Sequence, residues 1–476
     1  MLAMQKWRVD LAVIGAGPAG QKAAIQGAKL GKQVLVIDAG KRLGGSCLHH
    51  GTIPSKTLRE SILALTGFRD REFSEVCSRG FEDISMPDLT GRLACVLDKL
   101  TAVIERQFAR NGIEVLQGRA RFRNVGELDV VDADGEVCHR VRADRVVIAT
   151  GSRPRHVEHV PFDETCILDS DRLLRLECLP KSMLVLGGGV IGSEYATMLA
   201  TLGVDVTLID KVERPLRMLD RELGAAFQQA AQGLGVRLRL GTNIERIERV
   251  GHRARVTLDG NEVLEADCAL IALGRSANVE DLDLDRIGLE LDARGHLPVN
   301  ALFRTAWPNL YACGDVIGGP LASTAMEQGR LAVLAAFAER AQPFPEKYPL
   351  GIYTIPEISW IGPTEEELQA RGIHYSVGRA RYSELARATI AGEEEGLVKM
   401  IFHSETGEVL AVHALGQGAT ELVHVAQAAM HFGAKVDYFV AAVFNYPTFA
   451  EALRVAALDG LNHGQKAQQE AVLVNA

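Results

Sequence analysis

VDLAVIGAGPAGQKAAIQGAKLGKQVLVIDAG, residues 9–40, is where the fold of this chain can be read. VDLAVIGAG reads as a first, apolar strand entering its turn. It breaks into Gly15-Ala-Gly17-Pro-Ala-Gly20; PAGQKAAIQGAKLG continues as a helix, and QVLVIDAG makes a second strand. Strand, glycine turn, helix and strand in that order are part of a doubly wound parallel sheet that binds a dinucleotide. The first glycine permits the tight turn, the second lets backbone approach a pyrophosphate, and the third lets helix and strand pack closely. The pyrophosphate meets the free N–H groups and the positive dipole end of the helix. Asp38, eighteen residues beyond Gly20, ends the second strand with a carboxylate able to accept from ribose hydroxyls.

Residues 183–214, MLVLGGGVIGSEYATMLATLGVDVTLIDKVER, repeat the plan with Gly187, Gly189 and Gly192. Asp210 again lies eighteen residues beyond the third glycine. One glycine turn is weak evidence, but two strand–turn–helix units with an acid in register imply two dinucleotide sites. An acid at Asp210 suits the free 2′-hydroxyl of NAD and repels the 2′-phosphate of NADP. Lys211 and Arg214 follow it, as an offsetting charge or as solvated surface groups.

Outward from these units, 476 residues allow about three domains. The composition, 47% apolar and 24% charged with 47 glycines, suits a glycine-punctuated α/β chain. A net charge of −9 with no basic block argues against nucleic acid as a partner. No run is long and apolar enough for a signal peptide or a membrane span, so a cytoplasmic protein is expected. The eight cysteines, Cys77 among them, include no Cys-x-x-Cys pair, so no metal site is expected. Residues 85–115 read as helical and 117–150 as short strands; strands recur over 251–275, and ASTAMEQGRLAVLAAFAER is a helix. AQPFPEKYP reads as a linker to a separate α/β region over 350–465, with strands VKMIFH and VLAVHAL and a tail expected to fray.

Further segments carry a resemblance: GGSCLHHGTIPSK (44–56), ATGSRP (149–154), Glu194 after the second glycine turn, ALGRSAN (272–278), YACGD (311–315) and NYPTFAEA (445–452). With both glycine turns, they make the chain similar, over essentially its whole length, to the pyridine nucleotide-disulfide oxidoreductase family. The resemblance implies an α/β fold with two Rossmann-like dinucleotide-binding domains, for FAD and NAD(P), and a C-terminal α+β dimerisation domain. Its boundaries would be 1–152 and 276–345 for FAD, 153–275 for NAD(P), 346–465 for dimerisation and 466–476 for a flexible tail. FAD would be held by Gly15, Gly17, Gly20 and Asp38, with Asp315 on its ribityl and phosphate portion. NAD(H) or NADP(H) would occupy the turn of Gly187, Gly189, Gly192 and Asp210. Further cofactor contacts are implied at Ala39, Gly44, Gly45, Ser46, Cys47, Lys56, Ala120, Thr150, Gly151, Gly274 and Gly314. The implied assembly is a homodimer or a larger homo-oligomer.

Two departures redirect the expected chemistry. Disulfide reductases of the family carry two cysteines four residues apart; here Cys47 faces Thr52, and a hydroxyl cannot form a dithiol/disulfide couple. Tyr446 stands where the family's C-terminal histidine base would be, although Glu451 is retained; a phenol of pKa about 10 is a poor base at neutral pH. With GIYTIPEIS (351–359) and FNYPT (444–448), this pattern resembles the family's transhydrogenase branch. The resemblance implies that hydride passes from NADPH to flavin N5 and out to NAD⁺ in the same pocket, with Lys56 and Glu194 as a catalytic pair. Alone, Lys56 and Glu194 read as surface groups on helices, Cys47 equally as packing, His49 and His50 as polar filler, and Tyr446 as packing or pocket lining. A dihydrolipoamide dehydrogenase-like reductase, a diaphorase or quinone reductase, and a non-catalytic FAD-binding partner protein stay open as alternatives.

Overall fold

The strand Gln5–Ile14 takes Val34–Asp38 on one side and Val137–Ile148 on the other, both parallel. The computed structural model describes residues 5–66, 85–319, 321–337 and 342–474, with side chains described as far as residue 463. The chain divides into two compact units, Met1–Leu58 with Pro87–Val157 and Gly274–Pro345, and Arg59–Met86 with Glu158–Leu273 and Glu346–Ala476.

In the first unit Glu114–Gln117 extends the parallel sheet beyond Val34–Asp38. The outer edge of Val137–Ile148 is shared. Glu127–Val131 pairs antiparallel along its first half, and Leu310–Ala312 pairs parallel with Val146–Ile148. Alternate residues of the opening strand enter different cores, which is why LAVI is apolar throughout. Leu11 and Val13 pack with Ala19, Ala23, Phe108 and Leu331, while Ala12 and Ile14 pack with Phe122, Leu128 and Val316. Burying a side chain such as Leu11 contributes about 1.5–3 kcal/mol. Helix Ala322–Phe337 lies so close to helix Pro18–Lys29 that a Cβ on Gly329 would stand 2.1 Å from the Ala19 carbonyl oxygen. Ser152–Pro154 and Arg275–Ala277 pair antiparallel where the chain leaves this unit and where it returns.

The expected helix over 85–115 is two helices, Met86–Thr90 and Leu93–Arg110, and its last residues belong to the strand Glu114–Gln117. The apolar face of the longer helix ends at Phe108, and Gly112 turns the chain with φ +64°.

The second unit holds a five-stranded parallel sheet ordered Arg237–Leu240, Asp205–Asp210, Ser182–Leu186, Cys268–Ile271 and Ile167–Leu168. A second, antiparallel five-stranded sheet is ordered Leu350–Ile352, Ile358–Ile361, Val409–Leu415, Leu397–His403 and Tyr375–Arg381. Helix Glu451–Val474 packs on its edge strand, where a Cβ on Gly378 would meet the Ala456 carbonyl oxygen at 1.8 Å. That helix runs on through most of the segment expected as a tail. No helix among the described residues is long and apolar enough to cross a membrane.

Candidate functional site

Steric contacts inside the chain account for two of the three glycines at 15, 17 and 20. Gly15 has φ +103°, and a Cβ there would stand 2.4 Å from the Ala149 carbonyl oxygen. A Cβ on Gly20 would stand 1.8 Å from the Gly15 carbonyl oxygen. At Gly17 the backbone is ordinary, φ −70°, and a Cβ would meet nothing within 4 Å. Open space over a helix N-terminus with no side-chain cap and no acid in its first turn suits an anionic group. The chemistry of this cradle, free backbone N–H groups with no competing acid, is compatible with a pyrophosphate.

Asp38 braces the turn. Its Oδ2 accepts from Ala16 N at 2.5 Å and its Oδ1 from Gly40 N at 2.7 Å. Burial nevertheless raises its pKa. Each carboxylate oxygen has a second lone pair, so both bonds are compatible with ribose hydroxyls as further donors. Ala39 follows on the exposed side, whereas Ala120 is only 4% exposed and sits in the core with Ile14 and Phe122.

The 44–56 segment lies against this turn: a Cβ on Gly45 would stand 2.8 Å from Gly17 Cα, and one on Gly44 would run into Leu48. Ser46 Oγ reaches the Ser152 carbonyl at 3.5 Å, and His49 Nε2 meets the Leu43 carbonyl at 2.9 Å. Cys47 is half-buried, and burial raises its thiol pKa, opposed by the nearby Thr52 hydroxyl; Asp315 and Lys56 are close enough to act on it with opposite signs. Lys56 follows within helix Thr52–Thr66. Thr150 Oγ1 donates to the Asn278 carbonyl at 2.7 Å, and the Gly151 carbonyl accepts from Asn278 N at 3.0 Å. The Gly274 carbonyl accepts from Arg155 N at 3.0 Å. Gly314 N donates to Gln328 Oε1 at 2.8 Å, and Asp315 Oδ2 accepts from Ser152 Oγ at 2.6 Å.

The second glycine turn reproduces the first. A Cβ on Gly187, φ +108°, would stand 2.5 Å from the Ala272 carbonyl oxygen; on Gly192 it would stand 1.9 Å from the Gly187 carbonyl oxygen; on Gly189 it would meet nothing within 4 Å. Asp210 accepts from Gly188 N at 2.5 Å and Val212 N at 3.1 Å, as Asp38 does in its own turn.

Glu194, on helix Val190–Thr201, is 4% exposed. Its Oε1 accepts from Tyr353 N at 2.9 Å, and one turn on Thr197 Oγ1 accepts from Ile355 N at 3.1 Å. The GIYTIPEIS segment is thus held to the helix that carries Glu194. Arg59 secures the same segment, donating through Nε to the Thr354 carbonyl at 3.1 Å with Nη2 3.9 Å from Glu357. Lys56 belongs to the first unit and Glu194 to the second.

Sequence reasoning missed Arg59, Arg275 and Ser152, whose partners lie more than a hundred residues away in the chain. It also missed a buried ion cluster. Lys399, 0% exposed, donates to Asp220 at 2.7 Å and to Glu365, and lies 3.1 Å from Glu222, which Arg379 clasps at 2.6 and 2.9 Å. Asp220, Glu222 and Glu365 could together hold a metal ion, but the Lys399 ammonium already sits among them. His413, also 0% exposed, meets the Pro363 carbonyl through Nε2 at 3.1 Å, and burial lowers its pKa. The signal was present: Lys399 in VKMIFH and His413 in VLAVHAL each stand between apolar neighbours in an apolar strand. Tyr446 is 72% exposed in the single chain, so it is not a packing residue of this chain's interior. Cys77 lies outside the described residues; the other seven cysteines are free.

The model of the pyridine nucleotide-disulphide oxidoreductase family matches residues 9–329, and that of its dimerisation domain matches 348–457. A soluble pyridine nucleotide transhydrogenase of Mycobacterium tuberculosis is 45% identical over 455 residues, 95% of this chain and 97% of that one. Another of that name, from Erwinia tasmaniensis, is 42% identical over 465 residues, 96% of this chain and 99% of that one. Among solved structures, LpdA from Mycobacterium tuberculosis matches with a TM-score of 0.86 at 28% identity, covering 95% of this chain and 99% of that one. The HOCl-induced flavoprotein disulfide reductase RclA from Escherichia coli matches with a TM-score of 0.84 at 25% identity, covering 94% and 99%.

Proposed function

We propose, for a chain that belongs to the pyridine nucleotide-disulphide oxidoreductase family, the transfer of hydride between NADPH and NAD⁺ by way of one FAD and without a redox-active disulfide. One observation carries the choice within the family: Cys47 meets the Thr52 hydroxyl, while both glycine turns keep an open cradle at Gly17 and Gly189. The relatives named as soluble pyridine nucleotide transhydrogenases, 45% and 42% identical over nearly the whole chain, support the same reading.

Bound FAD supplies a two-electron acceptor and donor. The chain's part is to hold and to neutralise. Gly17 and the N-terminus of helix Pro18–Lys29 would take the FAD pyrophosphate, and Asp38 and Asp315 the sugar and ribityl hydroxyls. Gly189 and the N-terminus of helix Val190–Thr201 would take each nucleotide in turn. Lys56 would serve the transfer as a cation, and Glu194 as a carboxylate that Tyr353 N fixes. The matched dimerisation domain supports a homodimer, and we place the enzyme in the cytoplasm.

The test is a single preparation supplied with NADPH and offered a spectrally distinct NAD⁺ analogue, lipoamide, glutathione disulfide or a quinone. Reduction of the NAD⁺ analogue without the disulfides is expected. Transfer to the quinone alone overturns the reading, and failure of either nucleotide to reduce the flavin favours a non-catalytic role.

A further inference from the structure

Asp315 is placed by two anchors. Its backbone follows Gly314, whose N–H is fixed by Gln328 at 2.8 Å and whose Cβ position lies 3.1 Å from Ala19 Cβ. Its carboxylate is held by Ser152, whose Oγ donates to Oδ2 at 2.6 Å. A serine hydroxyl has one hydrogen and can rotate it. Here the rotation is settled by Arg275, whose Nε donates to Ser152 Oγ at 2.7 Å while its Nη2 donates to the Ser152 carbonyl at 2.8 Å. With Oγ accepting from the guanidinium, its hydrogen can point only to the carboxylate. Arg275 Nε is itself 4.0 Å from Asp315 Oδ2, so its charge reaches the carboxylate directly as well as through the hydroxyl.

The fork on Ser152 is specific to arginine: two donors in one plane meet the side chain and backbone of a single residue. Ser152 and Arg275 belong to the paired strands Ser152–Pro154 and Arg275–Ala277. The register of that short ribbon therefore sets the aim of a carboxylate on a distant segment.

We propose that Arg275 is a positioning residue for the flavin: through the Ser152 hydroxyl it holds Asp315 in the orientation that receives the ribityl chain of FAD. This rests on the flavin reading above. Arg275 acts on Asp315 through the Ser152 hydroxyl and, at 4.0 Å, through its own charge.

The test uses the full chain stripped of flavin and titrated with FAD, with ADP as a competitor for the same site. ADP shares the pyrophosphate half of FAD and lacks the ribityl chain. Arg275→Met and Ser152→Ala are each expected to weaken FAD about tenfold, the scale of one charge-assisted hydrogen bond. The double variant should lose no more than Arg275→Met alone, because the Ser152 hydroxyl passes on what Arg275 holds. The inhibition constant of ADP should stay unchanged, and Arg275→Lys should recover part of the loss. Unchanged FAD affinity in Arg275→Met overturns the proposal. So does parallel weakening of FAD and ADP, which would mark a general loosening of the ribbon. Should Arg275→Met fail to fold, Ser152→Ala alone decides by the same FAD-to-ADP comparison. Wild-type protein that binds no FAD would instead overturn the flavin reading itself.

Discussion

The Thr52 hydroxyl lies close enough to the Cys47 thiol to lower its pKa, so an alcohol neighbours a thiol at the start of helix Thr52–Thr66. Burial raises the thiol pKa more than this hydroxyl lowers it. Cys47 should therefore react with iodoacetamide at pH 8 more slowly than the exposed Cys95 and Cys178, as peptide mass spectrometry would read. NADPH should leave the free-thiol count of the wild type unchanged, whereas oxidised Thr52→Cys should gain two thiols on reduction. A disulfide at Cys47 in the wild type would contradict this.

The glycine turns predict opposite results for neighbouring substitutions. Gly20→Ala drives a methyl to 1.8 Å from the Gly15 oxygen, and Gly192→Ala repeats the clash at 1.9 Å from Gly187. Each should destabilise the fold by about 1–3 kcal/mol or more, seen as a lower denaturant midpoint. Gly17→Ala and Gly189→Ala meet no protein atom within 4 Å and should leave the flavin-free protein as stable as the wild type or up to about 1 kcal/mol more so. Their cost should appear in binding: FAD for Gly17→Ala, and nicotinamide nucleotide with FAD retained for Gly189→Ala.

Buried His413 sets where acid begins to loosen the second unit. Asp220, Lys399, Glu365 and the Pro363 carbonyl face it, and burial holds its pKa below 6.5. Well above 6.5 the imidazole is neutral in folded and unfolded chains alike. As pH falls through that value the unfolded chain binds the proton first, so stability drops by up to about 1.4 kcal/mol per pH unit. Asp220 and Glu222 act lower down. Burial pulls both upward, but Lys399 for Asp220 and Arg379 with Lys399 for Glu222 outweigh it, so their contribution is present above 3.8 and 4.5 and is lost below. His413→Gln should remove the decline that starts near 6.5 and leave the one that starts near 4.5, as denaturant melts across pH would show.

Lys56 and Glu194 can be separated by charge. Glu194→Gln keeps an oxygen for Tyr353 N and removes the negative charge, while Lys56→Met removes the cation with little loss of volume. Lys56→Met should slow flavin reduction by NADPH about a hundredfold in stopped-flow measurements. Reduction at the wild-type rate would exclude the lysine from the chemistry.

Elements built on local periodicity were legible in the sequence: both strand–glycine–helix units, the C-terminal strands 397–403 and 409–415, and the hydroxyl opposite Cys47. What stayed hidden depends on pairings that no window of sequence contains. Arg59 is separated from Thr354 by most of the chain, and Ser152 meets Arg275 only because Ser152–Pro154 and Arg275–Ala277 lie side by side. Lys399 reads as an ordinary strand lysine until Asp220 and Glu365 are brought around it. The end of the helix at Arg110 was blurred because periodic apolar residues continue into the next strand.

The shared edge of Val137–Ile148 bears on how the protein is made. Its last three residues wait for Leu310–Ala312, and Ala19 waits for the helix that carries Gly329. At roughly 5–20 residues per second on a ribosome, the N-terminal sheet stays unfinished for on the order of ten seconds or more while the intervening chain is synthesised. On the proposed placement of FAD against this sheet, flavin loading in the cell is a late event that waits until about two-thirds of the chain has emerged.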